Sequence, residues 1–171
     1  MRRRAVDPRS LAMTAMMAAI VFVLTRMIQI PTPAKGYIHL GDAGVFFSAL
    51  AFGPWVGAVA GGLGTALSDV TSGFPQWAIP TLLIHGAEGW FVGWASRRWR
   101  GATGLLLSLI VGGAIVVVGY LGAGIVLSGA GAAVGELPLN IIQVAAGAVV
   151  GLPLFAAVRQ AYPPIVRSSS K

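Results

Sequence analysis

The sequence has 171 residues, of which 56% are hydrophobic and only 10% are charged, and its mean hydropathy is +0.81. A soluble domain carries about 25% charged residues, so this composition excludes a chain that folds in water and predicts a membrane protein. The absence of cysteine excludes disulfides and thiolate metal sites. The net charge of +7 comes from residues at the ends of apolar segments, which is a topology signal and does not indicate nucleic-acid binding.

Six apolar segments follow one another along the chain. The first comes after the basic stretch "MRRRAVDPRS" and is about one bilayer long, so we expect a retained span rather than a signal peptide. The predicted spans cover residues 11–30, 42–52, 55–70, 80–96, 103–127 and 138–161. This pattern predicts an all-α membrane protein, a bundle of six transmembrane helices that forms a single domain over residues 1–171.

The basic residues indicate the orientation of this bundle. Six spans put both termini on one side of the membrane, and of the twelve Lys and Arg all but Arg26 and Lys35 belong to that side. The positive-inside rule then predicts cytoplasmic N- and C-termini in a multi-pass protein of a prokaryotic plasma membrane. Loops 31–41, 71–79 and 128–137 are expected to face outward.

Glu88 is the most informative polar residue within a predicted span. If the fourth span begins at Pro80, Glu88 lies about 12 Å below its outer end, and His85 and Thr81 lie on the same helical face. An ionisable residue at this depth is a functional candidate, although a network that only holds helices together is the alternative. A metal site is not expected, because the sequence shows only this one His–Glu pair.

The sixth span offers a matching polar face. Asn140 and Gln143 are three residues apart above small residues, which is typical of the wall of a pocket, although hydrogen bonds between helices would use the same residues. Trp77 lies close above Thr81 and is either an interfacial anchor or a platform for a ligand.

The polar segment "PTPAKGYIHLGDAGVFF" separates the first two spans. Its Tyr37 and His39 are candidates for the lid of an outward-facing pocket whose floor includes Glu88. Small-ligand sites combine an apolar cavity with a few convergent polar groups, and this arrangement follows that pattern.

The remaining acidic residues outside the N-terminal tail lie near predicted span ends. Asp42 is expected to cap the second span by accepting hydrogen bonds from backbone N–H groups. Asp69 is expected to cap a helix, to pair with Arg26 or Lys35, or to bind a ligand. Glu136 is expected at the opening of the sixth span, in water.

Small residues form stripes on two spans. In the third span Gly57 and Gly61 recur at a four-residue spacing, which predicts close packing inside the bundle. In the first span Ala15 and Ala19 form a similar stripe, which either packs internally or contacts another protein.

Three stretches resemble one known family. "YIHLGDAGVFFSALAFGPWVGAVAGGLGTALSD" (37–69) is similar to the "GD…GP…G…GG.G.ALAD" run of the riboflavin, pantothenate and hydroxymethylpyrimidine S components of energy-coupling factor (ECF) transporters. "IHGAEGWFVG" (84–93) resembles their "K.EG…G" segment, with His85 where Lys is common. "PLNIIQVAAGAVVG" (138–151) is similar to their last span, so the resemblance covers nearly the whole chain.

The resemblance implies a substrate-binding subunit that captures a vitamin or vitamin precursor from outside, with the outer loop as a gate. It then implies docking on a membrane-embedded T component driven by two cytoplasmic ATPases, with Ala15 and Ala19 as the contact surface. The sequence has no phosphate-binding loop, so ATP hydrolysis would belong to the partners, and no cofactor is expected. "MRRR" lacks the N-terminal His motif of nickel and cobalt S components, which disfavours a metal ion as cargo.

Two other classes of membrane protein remain as alternatives. An intramembrane enzyme is disfavoured, because no Ser has the flanking glycines and His partner of a nucleophile elbow. A stand-alone small-molecule transporter, working as a dimer, is the main alternative. Glu88 and the tryptophans suit a nitrogen heterocycle as ligand, whereas Arg26 and Lys35 suit a carboxylate.

Overall fold

A computed structural model describes residues 7–32, 36–99 and 101–162. The described residues form six α-helices and one two-stranded hairpin. In chain order these are α1 (Pro8–Met27), β1 (Gln29–Pro31), β2 (Tyr37–His39), α2 (Gly41–Phe52), α3 (Pro54–Thr71), α4 (Pro75–Arg98), α5 (Gly101–Ser128) and α6 (Ala130–Ala161). Among them α1, α5 and α6 are each long and apolar enough to cross a membrane. The predicted all-α, six-helix membrane architecture is confirmed.

Proline and glycine determine where the helices begin. Pro8, Pro54 and Pro75 lie in the first turns of α1, α3 and α4, where the fixed φ of proline suits a helix and its missing N–H costs nothing. Gly53 joins α2 to α3 with a φ of 100°, a conformation that other residues rarely adopt. The chain therefore reverses within "FGPW", as the sequence predicts.

Three predicted boundaries on the hairpin side are wrong. The first span ends at Met27 rather than Ile30, because Gln29 and Ile30 belong to β1. α4 begins at Pro75 rather than Pro80, and Pro80 lies inside the helix, because Pro75 already provides a good first turn. The segment predicted as the loop 128–137 is almost entirely helical, and only Gly129, with a φ of 89°, separates α5 from α6. The alanines in this segment favour a helix. Glu136 consequently lies well inside α6 instead of at its opening.

The third helix packs against the fourth at very short range. A Cβ atom added at Gly57 would lie 2.7 Å from the carbonyl oxygen of Gly89, and one added at Gly61 would lie 2.7 Å from that of His85. The predicted internal packing of this stripe is confirmed. This close approach of α4 to α3 also brings the side chain of His85 into the interior of the bundle.

Helix α2 forms the centre of the bundle. Its residues from Gly41 to Ala51 are buried except Phe47. The main core cluster joins Phe46 and Leu50 of α2 to Val92 of α4 and Phe155 of α6. Because the whole circumference of α2 is covered, the polar side chain near its start is carried into the interior.

The segment predicted as the loop 31–41 contains a strand of a hairpin that the sequence does not reveal. β1 and β2 pair antiparallel, with Gln29 opposite His39. Gln29 Nε2 donates to Ser72 Oγ after α3 at 2.8 Å, and the backbone N–H of His39 donates to Gln143 Oε1 of α6 at 3.1 Å. The hairpin therefore covers the end of the bundle where α3 ends and α4 begins, and it contacts the first half of α6.

Candidate functional site

A cavity lies beneath the hairpin, and its free space is about 30 Å³ inside and about 400 Å³ when the open space at its mouth is included. The hairpin, α3, α4, α5 and α6 all contribute to its walls. Its lining consists of Thr32, Gly36, Tyr37, Ile38, His39, Asp69, Trp77, Thr81, Tyr120, Glu136, Asn140 and Gln143. Seven of the nine candidate binding residues named from the sequence are in this set, and the two that are not are His85 and Glu88.

Tyr37 attaches the hairpin to α3. Its hydroxyl donates to Asp69 Oδ1 at 2.7 Å and lies 3.1 Å from Ser68 Oγ. Burial, followed by the nearby charge of Asp69, raises the pKa of Tyr37 above its ordinary value, so this hydroxyl stays a donor at physiological pH. The partner of Asp69 is thus Tyr37 rather than Arg26, which is exposed, while Lys35 lies outside the described residues.

Aromatic rings form one wall of the cavity. Trp77 is only 5% exposed, so it faces the cavity instead of lipid as an interfacial anchor would. Its ring centroid lies 5.9 Å from that of Tyr120, whose hydroxyl is 2.9 Å from Thr81 Oγ1. Sequence reasoning missed Tyr120. The available signal was that it is the one aromatic residue in the 28-residue apolar helix α5.

A second group of polar side chains lies behind this wall. His85 Nδ1 is 2.7 Å from Glu88 Oε2 and 3.2 Å from Asp42 Oδ1, and all three side chains are fully buried. Gln143 Nε2 donates to Asp42 Oδ2 at 3.2 Å. The ring of His85 lies 5.4 Å from that of His39 and 5.7 Å from that of Tyr120, measured between centroids. His85 therefore contacts the residues of the cavity wall from behind.

The expected role of Asp42 as an N-cap is wrong. α2 starts at Gly41 after Leu40, no side chain caps it, and Asp42 occupies the first turn with its carboxylate directed at His85 and Gln143. An N-cap side chain must bend back over exposed N–H groups. Here α4 and α6 offer a histidine and an amide that the sequence could not place next to Asp42.

Three atoms of the second group lack a hydrogen-bond partner among the described residues. They are His85 Nε2, Glu88 Oε1 and Asp42 Oδ1. Buried polar atoms are almost always paired in folded proteins, so each needs a physical explanation. The natural explanation is that a group from outside the chain binds to these three atoms.

The stripe of small residues on α1 does not pack inside the bundle. Ala15 and Ala19 are exposed, whereas Met17 and Val21 on the opposite face are buried against the core. Of the two interpretations left open by the sequence, internal packing is wrong, and the stripe is available for a partner or for lipid.

Comparison with known proteins gives the family. The model of the family described as "ECF-type riboflavin transporter, S component" matches residues 6–160. An uncharacterized protein of the gap 3' region of Pyrococcus woesei is 44% identical over 108 residues, 63% of this chain and 72% of that protein. The thiamine precursor transporter HmpT of Lactococcus lactis subsp. cremoris (strain MG1363) is 34% identical over 115 residues, 65% of this chain and 68% of that protein.

A solved structure, described as the S component of a bacterial ECF transporter, has the same fold. It superimposes with a TM-score of 0.70 at 20% identity and covers 89% of this chain and 96% of its own. The resemblance inferred from the sequence is confirmed. With the family model matching most of its length, the chain belongs to the ECF-type riboflavin transporter S component family, which consists of integral plasma-membrane transporter subunits and not of enzymes.

Proposed function

We propose that this chain captures a small vitamin or vitamin precursor at high affinity in the cavity beneath the hairpin and delivers it to an ECF transporter. The observation that carries the proposal is the cavity itself, which combines aromatic rings with convergent polar groups from four helices under a hairpin roof. Pockets for small ligands have this composition. The proposed binding residues are Tyr37, His39, Asp69, Trp77, Thr81, Asn140 and Gln143, together with Tyr120.

The cavity is proposed to open to the outside of the cell. It lies at the end of the bundle opposite to Arg97, Arg98 and Arg159, which are in the last turns of α4 and α6. Positive charges near span ends favour the cytoplasmic side. The hairpin then covers the outer mouth.

The ligand is proposed to be a flat nitrogen heterocycle. Trp77 and Tyr120 offer ring surfaces for stacking, and Asp69, Asn140 and Gln143 offer hydrogen-bond acceptors and donors. His85, whose Nε2 has no hydrogen-bond partner among the described residues, supports the rings of His39 and Tyr120 from behind the cavity wall, with Glu88 holding the imidazole. The Lactococcus relative is named a thiamine precursor transporter, which favours a pyrimidine over the larger flavin.

The hairpin is proposed to act as a gate. The free space enclosed in the closed cavity is about 30 Å³, far below the range of about 300–1,000 Å³ for ligand pockets. Entry of a vitamin therefore requires the roof to move. Hydrogen bonds from Gln29 to Ser72, from Tyr37 to Asp69 and from His39 to Gln143 would hold it closed.

Delivery is proposed to occur by docking on a T component that carries two cytoplasmic ATPases, as the family implies. The exposed stripe with Ala15 and Ala19 on α1 would be the contact surface, since small residues allow a partner helix to approach closely. Uptake by this chain alone in cells that lack a T component would instead support a stand-alone transporter.

Calorimetric titration of the purified chain tests the binding function. The panel is hydroxymethylpyrimidine, thiamine, riboflavin, pantothenate and pyridoxine. We expect one nitrogen heterocycle to bind with a Kd below about 1 μM, equivalent to about −8.2 kcal/mol. Asn140→Ala should weaken binding at least about tenfold through the loss of a hydrogen bond. Its exposed neighbour Ile141, changed to Ala, is the matched control. Equal affinities for the two variants would contradict the proposed site.

A further inference from the structure

The buried group formed by Asp42, His85 and Glu88 is separate from the lining of the cavity. It lies at the contact of α2 with α4, and every one of its side chains is fully buried. We propose that these three residues bind a divalent transition-metal cation of the Zn²⁺ class, held as a resident ion and not as transported cargo.

Charge neutrality is the first argument. Two carboxylates without solvent exposure would be very costly to keep ionised in the interior of a membrane protein. In the described part of the chain, the cationic group that comes within ion-pair distance of them is His85. A neutral imidazole leaves a formal charge of −2 on the group, and one divalent cation cancels it.

Geometry is the second argument. One ligand atom from each residue lies within 4.8 Å of the others, and the His85 nitrogen is 2.7 and 3.2 Å from the two carboxylate oxygens. In a tetrahedral site, zinc bonds of about 2.0–2.2 Å to nitrogen and oxygen put neighbouring ligand atoms roughly 3.3–3.6 Å apart, so a bound ion would move the His85 nitrogen and the Glu88 oxygen apart by several tenths of an ångström. Asp42 Oδ1 and Glu88 Oε1 have no hydrogen-bond partner among the described residues, so their lone pairs are available to a cation.

The surroundings resemble those of a metal site. Gln143 Nε2 donates to Asp42 Oδ2, the oxygen that does not face His85, and such outer hydrogen bonds orient carboxylate ligands. One imidazole with two carboxylates favours first-row transition metals over Mg²⁺ and Ca²⁺, which prefer oxygen ligands alone. Coordination through Nδ1 would leave the proton of His85 on Nε2.

The sequence gives little hint of this site. His85 and Glu88 form a recognisable pair three residues apart, but the third donor is 43 positions earlier in the chain, on another helix. Only the packing of α2 against α4 brings Asp42 to the pair.

Metal analysis of the full chain tests the proposal. The protein is purified without chelators through a tag that contains no histidine, and bound Mn, Fe, Co, Ni, Cu and Zn are quantified by mass spectrometry. We expect a total near one ion per chain, removal by a chelator, and saturable rebinding of Zn²⁺ that excess Mg²⁺ does not displace. Asp42→Asn and Glu88→Gln should each reduce Zn²⁺ affinity at least about tenfold, since even outer-sphere changes cost about 10–100-fold.

Asp69→Asn is the matched control, because Asp69 is a buried carboxylate that belongs to the cavity and not to the group. It should retain the metal. A wild-type protein that contains no transition metal and shows no saturable Zn²⁺ binding would overturn the proposal and leave protons as the neutralising ions. The proposal is equally overturned if Asp69→Asn loses as much Zn²⁺ affinity as Asp42→Asn, or if Mg²⁺ competes equally. Because the wild-type measurement needs no variant, a variant that fails to fold does not remove the test.

Discussion

At the scale of single residues, several buried polar side chains connect different elements of the fold. Tyr37 of the hairpin donates to Asp69 of α3, and Gln143 of α6 joins the backbone of His39 to Asp42 of α2. These contacts connect the roof of the cavity to its walls. Changes to one side chain are therefore expected to alter ligand binding through its partners as well as directly.

Glu88→Gln is expected to weaken ligand binding. The change removes the negative charge that holds His85 Nδ1 at 2.7 Å, through the proposed cation when one is bound and through a hydrogen bond when none is. A charge-assisted hydrogen bond alone is worth about 1.5–3 kcal/mol, or about ten- to hundredfold in Kd. Calorimetric titration with the identified ligand measures the loss, alongside a melting curve of the ligand-free protein. Unchanged affinity together with a lower melting temperature would assign Glu88 and His85 to structural support.

His39 is expected to make stability depend on pH. Burial, followed by the proximity of His85, lowers the pKa of His39 well below its ordinary value, and its Nδ1 accepts a hydrogen bond from the backbone N–H of Gly41 at 3.1 Å. Below about pH 6.5 the unfolded chain takes up a proton that folded His39 does not, so the free energy of unfolding falls as the pH falls.

Melting temperatures between about pH 7.5 and 5 measure this dependence. The control is His39→Asn, which retains an acceptor near the position of Nδ1 and does not titrate. Its melting temperature should vary less with pH than that of the wild type. Equal slopes for the two proteins would show that other groups cause the acid sensitivity.

The residues that line the cavity were predictable from the sequence where a polar residue interrupts an apolar span. Asn140, Gln143 and Thr81 stand out for this reason, and they do line the cavity. Tyr120 did not stand out, because an aromatic residue is compatible with lipid. Asp42 was misassigned, because its position before an apolar run matches a cap and its partners are more than forty residues away.

At the scale of helices, glycine positions determine how closely α3 approaches α4. Gly57→Ala would place a methyl group 2.7 Å from the carbonyl oxygen of Gly89, a backbone atom that cannot swing away. We expect a destabilisation of about 1–3 kcal/mol from this overpacking, measured by thermal or denaturant unfolding in detergent. Gly122→Ala on α5 is the control, since an added Cβ there meets nothing within 4 Å. A Gly57→Ala protein as stable as this control would contradict the packing.

The stripe on α1 leads to a prediction about coupling. Ala15→Trp combined with Ala19→Trp should leave ligand binding by the isolated chain unchanged but reduce transport and co-purification with the T component. Both positions are exposed and neither is part of the cavity lining, and large side chains keep a partner helix away. Normal transport by the double variant would show that the stripe faces lipid only.

Helix number and the turn at Gly53 were predictable because apolar length and turn residues are local signals. The starts of α4 and α6 were not. Two prolines compete for the first turn of α4, and the glycine- and alanine-rich segment before α6 has the composition of a loop but is helical when packed. The hairpin strands are only three residues long each, too short to show a periodic pattern.

At the scale of the whole molecule, the cavity lies at the end of the bundle opposite to Arg97, Arg98 and Arg159. Because the sequence contains no cysteine, a thiol reagent labels only a cysteine that is introduced. Cysteines at Ser72 and Gly131, near the hairpin end, should react with an impermeant reagent added outside intact cells, and one at the exposed Gln160 should react only after lysis. Labelling of Gln160→Cys from outside would reverse the proposed orientation.

A vitamin-like molecule in the cavity beneath the hairpin is the central claim. Mass spectrometry of small molecules released from gently purified protein tests it most directly, with Asn140→Ala prepared in parallel. We expect one nitrogen heterocycle in near-equimolar amount from the wild type and a strongly reduced amount from the variant. Absence of any such molecule from wild-type protein expressed in vitamin-replete cells, or equal amounts from both proteins, would contradict the claim.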